Sequence, residues 1–288
     1  MNPRILLVSA LCLAGGGVLA EAYEDDYITS SDASVRCIVL PGRNVYVFTN
    51  TEDEVSVTAK NALTVQRALI VAGGGSGGRN GCGAGGGGGG VIYDTSTHEV
   101  AANETLTLRV GAGGIGRFEG SSADWQGKDS VLTIGGTTWT AIGGGYGGGW
   151  GDVTSSAGGS GGGNSMGKAA SAGTSGQGNA GASGPSSSPG GGGGAGEPGH
   201  QYDATLGGVG GEGRTIDITG TSEVYGSGGG AGTQSGIAAV AGKGGTNAGA
   251  GDSSGASGGI GHSAVPGFGG GGAVAIPTAV RVDRGRSS

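Results

Sequence analysis

The sequence is poor in several residue types from which proteins usually build a core and a charged surface. Aromatic residues make up 5% and charged residues 13% of the 288 residues, with only seven prolines and three histidines. So few prolines exclude a collagen triple helix, which needs proline-rich Gly-X-Y repeats. The formal net charge of -7 argues against nucleic acid as a partner, because phosphate binding requires a basic surface.

The sequence also offers little for catalysis or metal binding. His98, His200 and His262 have no metal-ligand spacing with one another or with the cysteines, and no H-E-x-x-H motif is present. The run GAGGIG (111–116) matches a dinucleotide-binding pattern, but glycine-rich sequence follows it instead of an amphipathic helix. We therefore expect no enzymatic activity, no cofactor and no metal site.

The N-terminal residues have the layout of a secretory signal peptide. Arg4 precedes an apolar run over 5–20, and small residues follow at Ala20 and Ala22. The run contains three glycines and is shorter than the roughly 20 apolar residues of a membrane span. We predict a signal peptide over 1–22 and a mature chain that starts near Tyr23, is secreted or held at the cell surface, and has no membrane span.

Cysteine is scarce, so a disulfide-rich scaffold is excluded. Cys12 would be removed with the signal peptide, which leaves Cys37 and Cys82. An oxidising compartment permits a disulfide between these two residues, and we predict that bond for the exported protein.

Glycine is abundant, at 77 of 288 residues against a usual share of about 7%. Short runs rich in β-branched residues alternate with turn signals, and Gly135-Gly136 between two such runs indicates a hairpin. No stretch after the signal peptide has convincing helical periodicity, so we predict a mainly β protein essentially without α-helix. The strand-like runs are 35–40, 44–49, 54–59, 63–72, 91–100, 104–110, 130–134, 137–142 and 215–225.

The glycines recur with a period of three, as at Gly75, Gly78, Gly87 and Gly90. Three residues per turn is the period of a polyglycine II helix, which has no internal hydrogen bonds and must bond to its neighbours. We therefore predict a packed polyglycine II bundle. The alternative is a disordered Gly/Ser linker over 143–270; single hydrophobic residues and strand-like runs inside the tract oppose it, and any disorder is expected first in 171–191.

The ordered set ALIVAGGGSGG, GAGGGGGGVIYDTSTHEVAANETLTLRVGAGGIG, DSVLTIGGTTWTAIGGGYGGG and GFGGGGAVAI resembles the glycine-rich domain of secreted and surface bacterial proteins. A similar pattern occurs in the distal adhesins of some bacteriophage tail fibres. The resemblance implies β-sandwich-like strands that carry a polyglycine II layer, with loops at one tip for recognition. The resemblance covers roughly residues 45–280. By composition we divide the mature chain into β-strands over 23–72, a glycine-rich domain over 73–280 and a tail over 281–288.

Two functions follow as expectations. In the first, the protein is a module for adhesion to, or recognition of, a surface glycan or surface protein. The aromatic residues expected to bind, because aromatic rings bury large area at low entropic cost, are Trp125, Tyr146, Trp150 and Tyr202, with Tyr225 as a further candidate. In the second, the protein is an extracellular spacer or matrix element without a specific ligand.

Overall fold

A computed structural model of the chain describes residues 22–49, 53–78, 83–115, 122–149, 154–185, 188–201, 207–233 and 243–248, and the backbone of 278–283. This part of the chain is mainly β, as predicted, with antiparallel sheets. Its single helix is the four-residue α1 (Ser122–Trp125). No helix of the described residues is long and apolar enough to span a membrane.

Two six-stranded sheets hold most of the strands. The strands of sheet A, in spatial order, are β1 (Tyr23–Glu24), β2 (Ile28–Ser30), β5 (Glu54–Ala59), β9 (Thr105–Arg109), β10 (Ser130–Ile134) and β11 (Thr137–Ala141). The strands of sheet B are β3 (Arg36–Leu40), β4 (Arg43–Phe48), β14 (Thr278–Asp283), β6 (Leu63–Val71) and β7 (Val91–Asp94), with β8 (His98–Val100) paired to the start of β6. A separate hairpin joins β12 (Arg214–Ile216) to β13 (Glu223–Tyr225).

Seven of the nine predicted strand runs are confirmed, whereas 91–100 and 215–225 each contain two short strands separated by a turn or loop. Strands β5 and β10 coincide with the predicted runs 54–59 and 130–134, and most of the others agree within one or two residues at each end. At the predicted hairpin, Gly135 and Gly136 have φ of 54° and 80°, the positive values that a two-residue type I′ turn requires at both positions. The short strands β1 and β2 had no signal in the sequence.

The strands from before and after the first glycine tract are interleaved. In sheet A, β5 pairs with β9, and in sheet B, β6 pairs with β7. Strand β14 runs to Asp283 between β4 and β6, past the boundary expected after residue 280. The predicted region 23–72 therefore shares both of its sheets with later parts of the chain.

The apolar core lies between the two sheets. Alternating buried residues on β5, for example Val55 and Val57, show the one-sided burial that the sequence pattern predicts. Both sheets supply side chains to one small apolar cavity. Its lining includes Ile28, Leu106 and Leu132 from sheet A, and Tyr46, Phe48 and Val65 from sheet B.

Asp25, in the turn between β1 and β2, ties the N-terminal hairpin to sheet B. Its Oδ1 accepts hydrogen bonds from the backbone N–H groups of Tyr27 (2.8 Å) and Ile28 (2.9 Å). Its Oδ2 accepts one from the hydroxyl of Tyr46 on β4, at 2.8 Å. Burial, followed by the nearby carboxylate of Asp25, raises the pKa of Tyr46 far above its ordinary value, so this hydroxyl stays a donor.

A second structural unit continues from the sheets, and we call it the glycine block. Its glycine-rich segments are mostly buried and lie outside the helices and strands named above. They are residues 72–78, 83–90, 111–115, 142–149, 157–164, 179–184, 190–196, 208–213 and 226–233.

Backbone hydrogen bonds hold the block together. The segment 83–90 is bonded to five other segments, whereas a strand in a sheet has at most two neighbours. The bonds are Gly75 N to Gly87 O (2.9 Å), Gly87 N to Gly145 O (2.8 Å), Gly163 N to Gly85 O (2.9 Å), Gly88 N to Gly193 O (2.9 Å) and Gly229 N to Gly86 O (2.9 Å). The segments thus surround one another, and their polyglycine II conformation stays a prediction.

The close approach of these backbones explains the glycine content. A Cβ atom added to Gly87 would lie 2.2 Å from the carbonyl oxygen of Ser160, and one added to Gly88 would lie 2.1 Å from that of Gly226. Neither position tolerates a side chain, because the neighbouring atoms belong to the backbone and cannot rotate away.

The disorder expected for 171–191 is not found in the described residues 171–185 and 188–191. Gln177, in the middle of this stretch, binds the free edge of β11: its Nε2 donates to Thr140 O (2.9 Å) and its Oε1 accepts from Ile142 N (2.8 Å). Its own carbonyl accepts from Val91 N at 3.0 Å. The composition of this stretch suggested disorder, because composition does not reveal an individual contact such as that of the Gln177 amide with the edge of a sheet.

Candidate recognition surface

Several glycine-rich segments end close together at the end of the glycine block that lies farthest along the chain from the sheets, and we call this end the tip. The segments that leave β6, β11 and β13 reach it at Gly78, Gly148 and Gly232. These ends are joined by backbone hydrogen bonds. They run from Gly78 N to Ala84 O (2.8 Å), from Ala84 N to Gly148 O (2.9 Å) and from Gly232 N to Gly83 O (2.9 Å).

Further segments end at the same place. Gly148 N donates to Gly163 O (2.9 Å), Gly190 N to Asn164 O (3.0 Å) and Gly208 N to Pro189 O (2.8 Å). In the sequence, several connections follow or precede segments that end at the tip. These connections are residues 79–82, 150–153, 165–170, 185–188 and 201–207.

Two of the four predicted binding residues, Trp125 and Tyr146, are brought together close to the tip. Their rings meet edge to face, with centroids 5.6 Å apart and planes at 88°, the geometry that aromatic quadrupoles favour. Both side chains are half-buried. Twenty residues of sequence that include a strand hairpin separate them, so sequence alone did not show this contact.

The backbone on either side of Ser76 holds this aromatic pair in place. Ser76 N donates to the carbonyl of Trp125, and Gly147 N, next to Tyr146, donates to the carbonyl of Ser76, both at 2.9 Å. A Cβ atom on Gly114 would lie 2.0 Å from the carbonyl oxygen of Trp125. The two rings thus stand on backbone that is packed into the glycine block.

The other predicted aromatic residues have different outcomes. Trp150 and Tyr202 lie outside the described residues, although each belongs to a connection that starts at the tip. The prediction that Tyr225 binds a ligand is wrong, because this residue is only 2% exposed. The same burial raises the pKa of its hydroxyl. Tyr225 packs into the core at the end of β13, where its side chain is not accessible to a bound glycan or protein.

Two exposed apolar residues were missed by the sequence analysis. Ile115, 41% exposed, lies beside α1, since its N–H donates to Asp124 O at 2.9 Å. Met166, 42% exposed, lies in a tip connection with a φ of 59°, an uncommon conformation for a residue with a side chain. In the sequence, each is a single large apolar residue next to glycine. That pattern is the one signal by which the sequence could have identified these two residues.

Cys37, one half of the predicted disulfide, is half-buried on β3, and Cys82 lies outside the described residues. The disulfide stays a prediction. Among the described residues, no three metal-ligating side chains lie together.

A model of the glycine-rich domain family matches residues 49–283 of this chain. The chain belongs to the glycine-rich domain family. No curated protein and no solved structure matches it. In this glycine-rich domain the match covers the glycine block and strands β5 to β14, but not β1 to β4. The resemblance seen in the sequence is confirmed at the level of the family. The likeness to phage tail-fibre adhesins stays a prediction.

A second side-chain cluster of the glycine-rich domain lies on sheet B, where Asp94 and His98 form a pair. Asp94 Oδ2 and His98 Nε2 are 2.6 Å apart, and the side chains are 13% and 19% exposed. The ring of His98 meets that of Trp139 on β11 edge to face, at 4.9 Å. The pair therefore fixes the β7–β8 connection against the neighbouring sheet.

This pair predicts a dependence of stability on pH. Burial alone would raise the pKa of Asp94, but hydrogen bonds from Ser96 N and from His98 outweigh it and lower that pKa. A lowered pKa in the folded state contributes stability above the unfolded value of about 3.9, and this is lost as the pH falls through the folded pKa. Asp94→Asn should reduce the free energy of unfolding at pH 7 by about 1–2 kcal/mol, and its loss of stability below about pH 4 should be smaller than that of the wild type.

Denaturant unfolding of both proteins between pH 3 and pH 7 measures this difference. Asp217→Asn serves as the control, because the Asp217 side chain is 69% exposed and 3.8 Å from its partner Arg67, so this change should have little effect. Parallel pH curves for wild type and Asp94→Asn would contradict the prediction.

Proposed function

We propose that this glycine-rich domain is a secreted or cell-surface recognition module without catalytic activity, and that its tip binds a surface glycan or a surface protein. The Trp125–Tyr146 pair carries the proposal. Its backbone is packed among glycines, so the rings are presented in a fixed position, and each ring leaves part of its area exposed. Rigid aromatic groups bind at low entropic cost because little freedom is left to lose.

The arrangement of the tip supports the same function. Connections that start and end on rigid, hydrogen-bonded backbone can differ in sequence without disturbing the scaffold, which is the usual design of recognition loops. Trp150 and Tyr202, which belong to two of these connections, are the remaining proposed contacts. Ile115 and Met166 add exposed apolar area.

Export of the protein fits the position of the first strand. Strand β1 begins at Tyr23, the expected first residue of the mature chain. The Tyr23 hydroxyl also donates to Asp25 Oδ2 at 3.2 Å. Removal of residues 1–22 as a signal peptide would therefore leave the N-terminal hairpin complete.

The second candidate function is a structural spacer or matrix element. The observation that favours it is the contact between Trp125 and Tyr146, because two aromatic rings that pack on each other and are half-buried also stabilise the fold. Binding and stability must therefore be measured in parallel.

The test is a screen of the mature protein against glycans and cell surfaces, followed by alanine substitution of Trp125, Tyr146, Trp150 and Tyr202. Trp125→Ala and Tyr146→Ala should weaken binding about tenfold or more, as expected for anchor residues. Each should lower the melting temperature by only a few degrees, since about 1 kcal/mol corresponds to about 2–4 °C in a chain of this size.

Trp139→Ala is the matched control. Trp139 is also half-buried and also packs edge to face on a ring, but it lies on β11 against His98. The Trp139→Ala variant should reduce stability about as much as Trp125→Ala does and leave binding unchanged. If no ligand is found, or if Trp139→Ala weakens binding as much as Trp125→Ala, the structural function replaces the adhesive one.

A further inference from the structure

The order of strands in sheet B is unusual in one respect: β14, the last strand among the described residues, lies in its interior. Strand β14 pairs antiparallel with β4 on one side and with β6 on the other. Strands β4 and β6 are not consecutive, since β5 between them belongs to sheet A. Until β14 is in place, sheet B consists of two parts separated by a gap of one strand, which we call the β14 slot.

The β14 slot is long and buried. Six residues of β14 are in register with β4, from Thr278 opposite Phe48 to Asp283 opposite Arg43. Five are in register with β6, with a shift between Arg281 and Val282. On the slot walls, residues 44–48 of β4 are buried, and of the β6 residues opposite β14, Val65, Ala68 and Leu69 are buried. An empty slot would leave two rows of backbone N–H and C=O groups without partners, a costly state that favours capture of a strand.

The chain that leads to β14 is long enough to reach another molecule. Twenty-nine residues separate Ala248 from Thr278 in the sequence, and at about 3.3–3.6 Å per residue they span at most roughly 100 Å. A globular domain of this length has a radius of gyration of about 19 Å. Covalent reach therefore does not restrict β14 to the slot of its own chain.

We propose that the β14 slot is a strand-binding site that accepts residues 278–283 in trans, and that the donor is the C-terminal strand of a second copy of this chain. The hydrogen bonds and the register are the same whether the strand comes from its own chain or from the partner, so the exchange costs little beyond association itself. Two copies that exchange strands reciprocally form a closed dimer. This inference is independent of the recognition function proposed for the tip.

The first experiment uses the full chain with Val280→Pro, which removes a backbone donor in the middle of β14 and disfavours its insertion. A fluorescent peptide of residues 274–284 is titrated into this variant and into the wild type. We expect saturable binding to the variant, accompanied by a rise in its melting temperature. Binding to the wild type should be about 100-fold weaker or more, because its own tethered strand competes at an effective concentration near millimolar.

The second experiment refolds the wild type at high protein concentration and measures its mass in solution. A dimer is expected at high concentration and a monomer after refolding of a dilute sample. Two differently labelled wild-type preparations should give mixed dimers only when they are refolded together.

Two controls make the outcome decisive. The peptide with the same Val280→Pro change should not bind, and Arg286→Pro, beyond the end of β14, should behave as the wild type. If Val280→Pro does not fold alone, recovery of its β circular dichroism on addition of the peptide reports the same binding. Absence of binding and of recovery would overturn the strand-binding site, and peptide binding without a dimer would overturn the second copy as the donor.

Discussion

Gly192→Ala is expected to lower the melting temperature by about 10 °C, equivalent to about 3 kcal/mol. Gly192 is buried in the glycine block, where its N–H donates to Gly229 O and its carbonyl accepts from Gly211 N. An added Cβ would lie 1.9 Å from the carbonyl oxygen of Gly86 and 2.4 Å from its carbonyl carbon. Both obstructing atoms are backbone, so the segments must move apart and their hydrogen bonds lengthen.

Gly77→Ala is the matched control for this experiment, and thermal unfolding measures both variants. Gly77 is exposed at the end of segment 72–78, and an added Cβ would meet only Ala84 O, at an ordinary 3.8 Å. The melting temperature of the Gly77→Ala variant should lie within about 1–2 °C of that of the wild type. Equal melting temperatures for Gly192→Ala and Gly77→Ala would mean that the block is not packed.

Amide protons of the glycine block are expected to exchange with solvent about a thousandfold or more slowly than those of an unstructured glycine chain, because exchange requires the block to open. Gly87 is a suitable reporter, since its buried N–H donates to Gly145 O at 2.8 Å. Gly77, at the exposed end of the same tract, should exchange much faster.

Hydrogen exchange read by mass spectrometry over 73–90 and 143–151 measures this protection. Far-UV circular dichroism of the same sample should lack the two minima of an α-helix. Fast exchange throughout both ranges would contradict a packed block and favour the flexible linker that composition alone suggests.

Local patterns in the sequence predicted the strands well. Runs rich in β-branched residues located β5 and β10, and the glycine pair between β10 and β11 predicted the turn that joins them. These features depend on residues close together in the chain, such as a two-residue side-chain period and positive φ values that glycine adopts without strain.

Long-range pairing could not be predicted in the same way. Nothing within residues 278–283 indicates that this strand lies between β4 and β6, because that place depends on which edges remain unpaired after the rest of the sheet has formed. The interleaving of the region 23–72 with later strands has the same origin.

The candidate site was predicted in part. The large area that an aromatic ring can bury singled out Trp125 and Tyr146, which the fold brings into contact. The same argument failed for Tyr225, because burial depends on what packs over a strand end and not on the residue type. Met166 and Ile115 were missed because their exposure follows from the course of the backbone.

The glycine block also affects how stability varies with temperature. Unfolding of an ordinary domain raises the heat capacity by about 12–15 cal/mol/K per residue, because exposed apolar surface raises it more than exposed peptide groups lower it. The surface buried between segments such as 83–90 and 190–196 is mainly peptide backbone, so its exposure contributes little apolar hydration. The heat-capacity change per residue should therefore be smaller than usual, and the curve of stability against temperature flatter. A fold built in this way loses less of its stability in the cold than one that depends on a hydrophobic core alone.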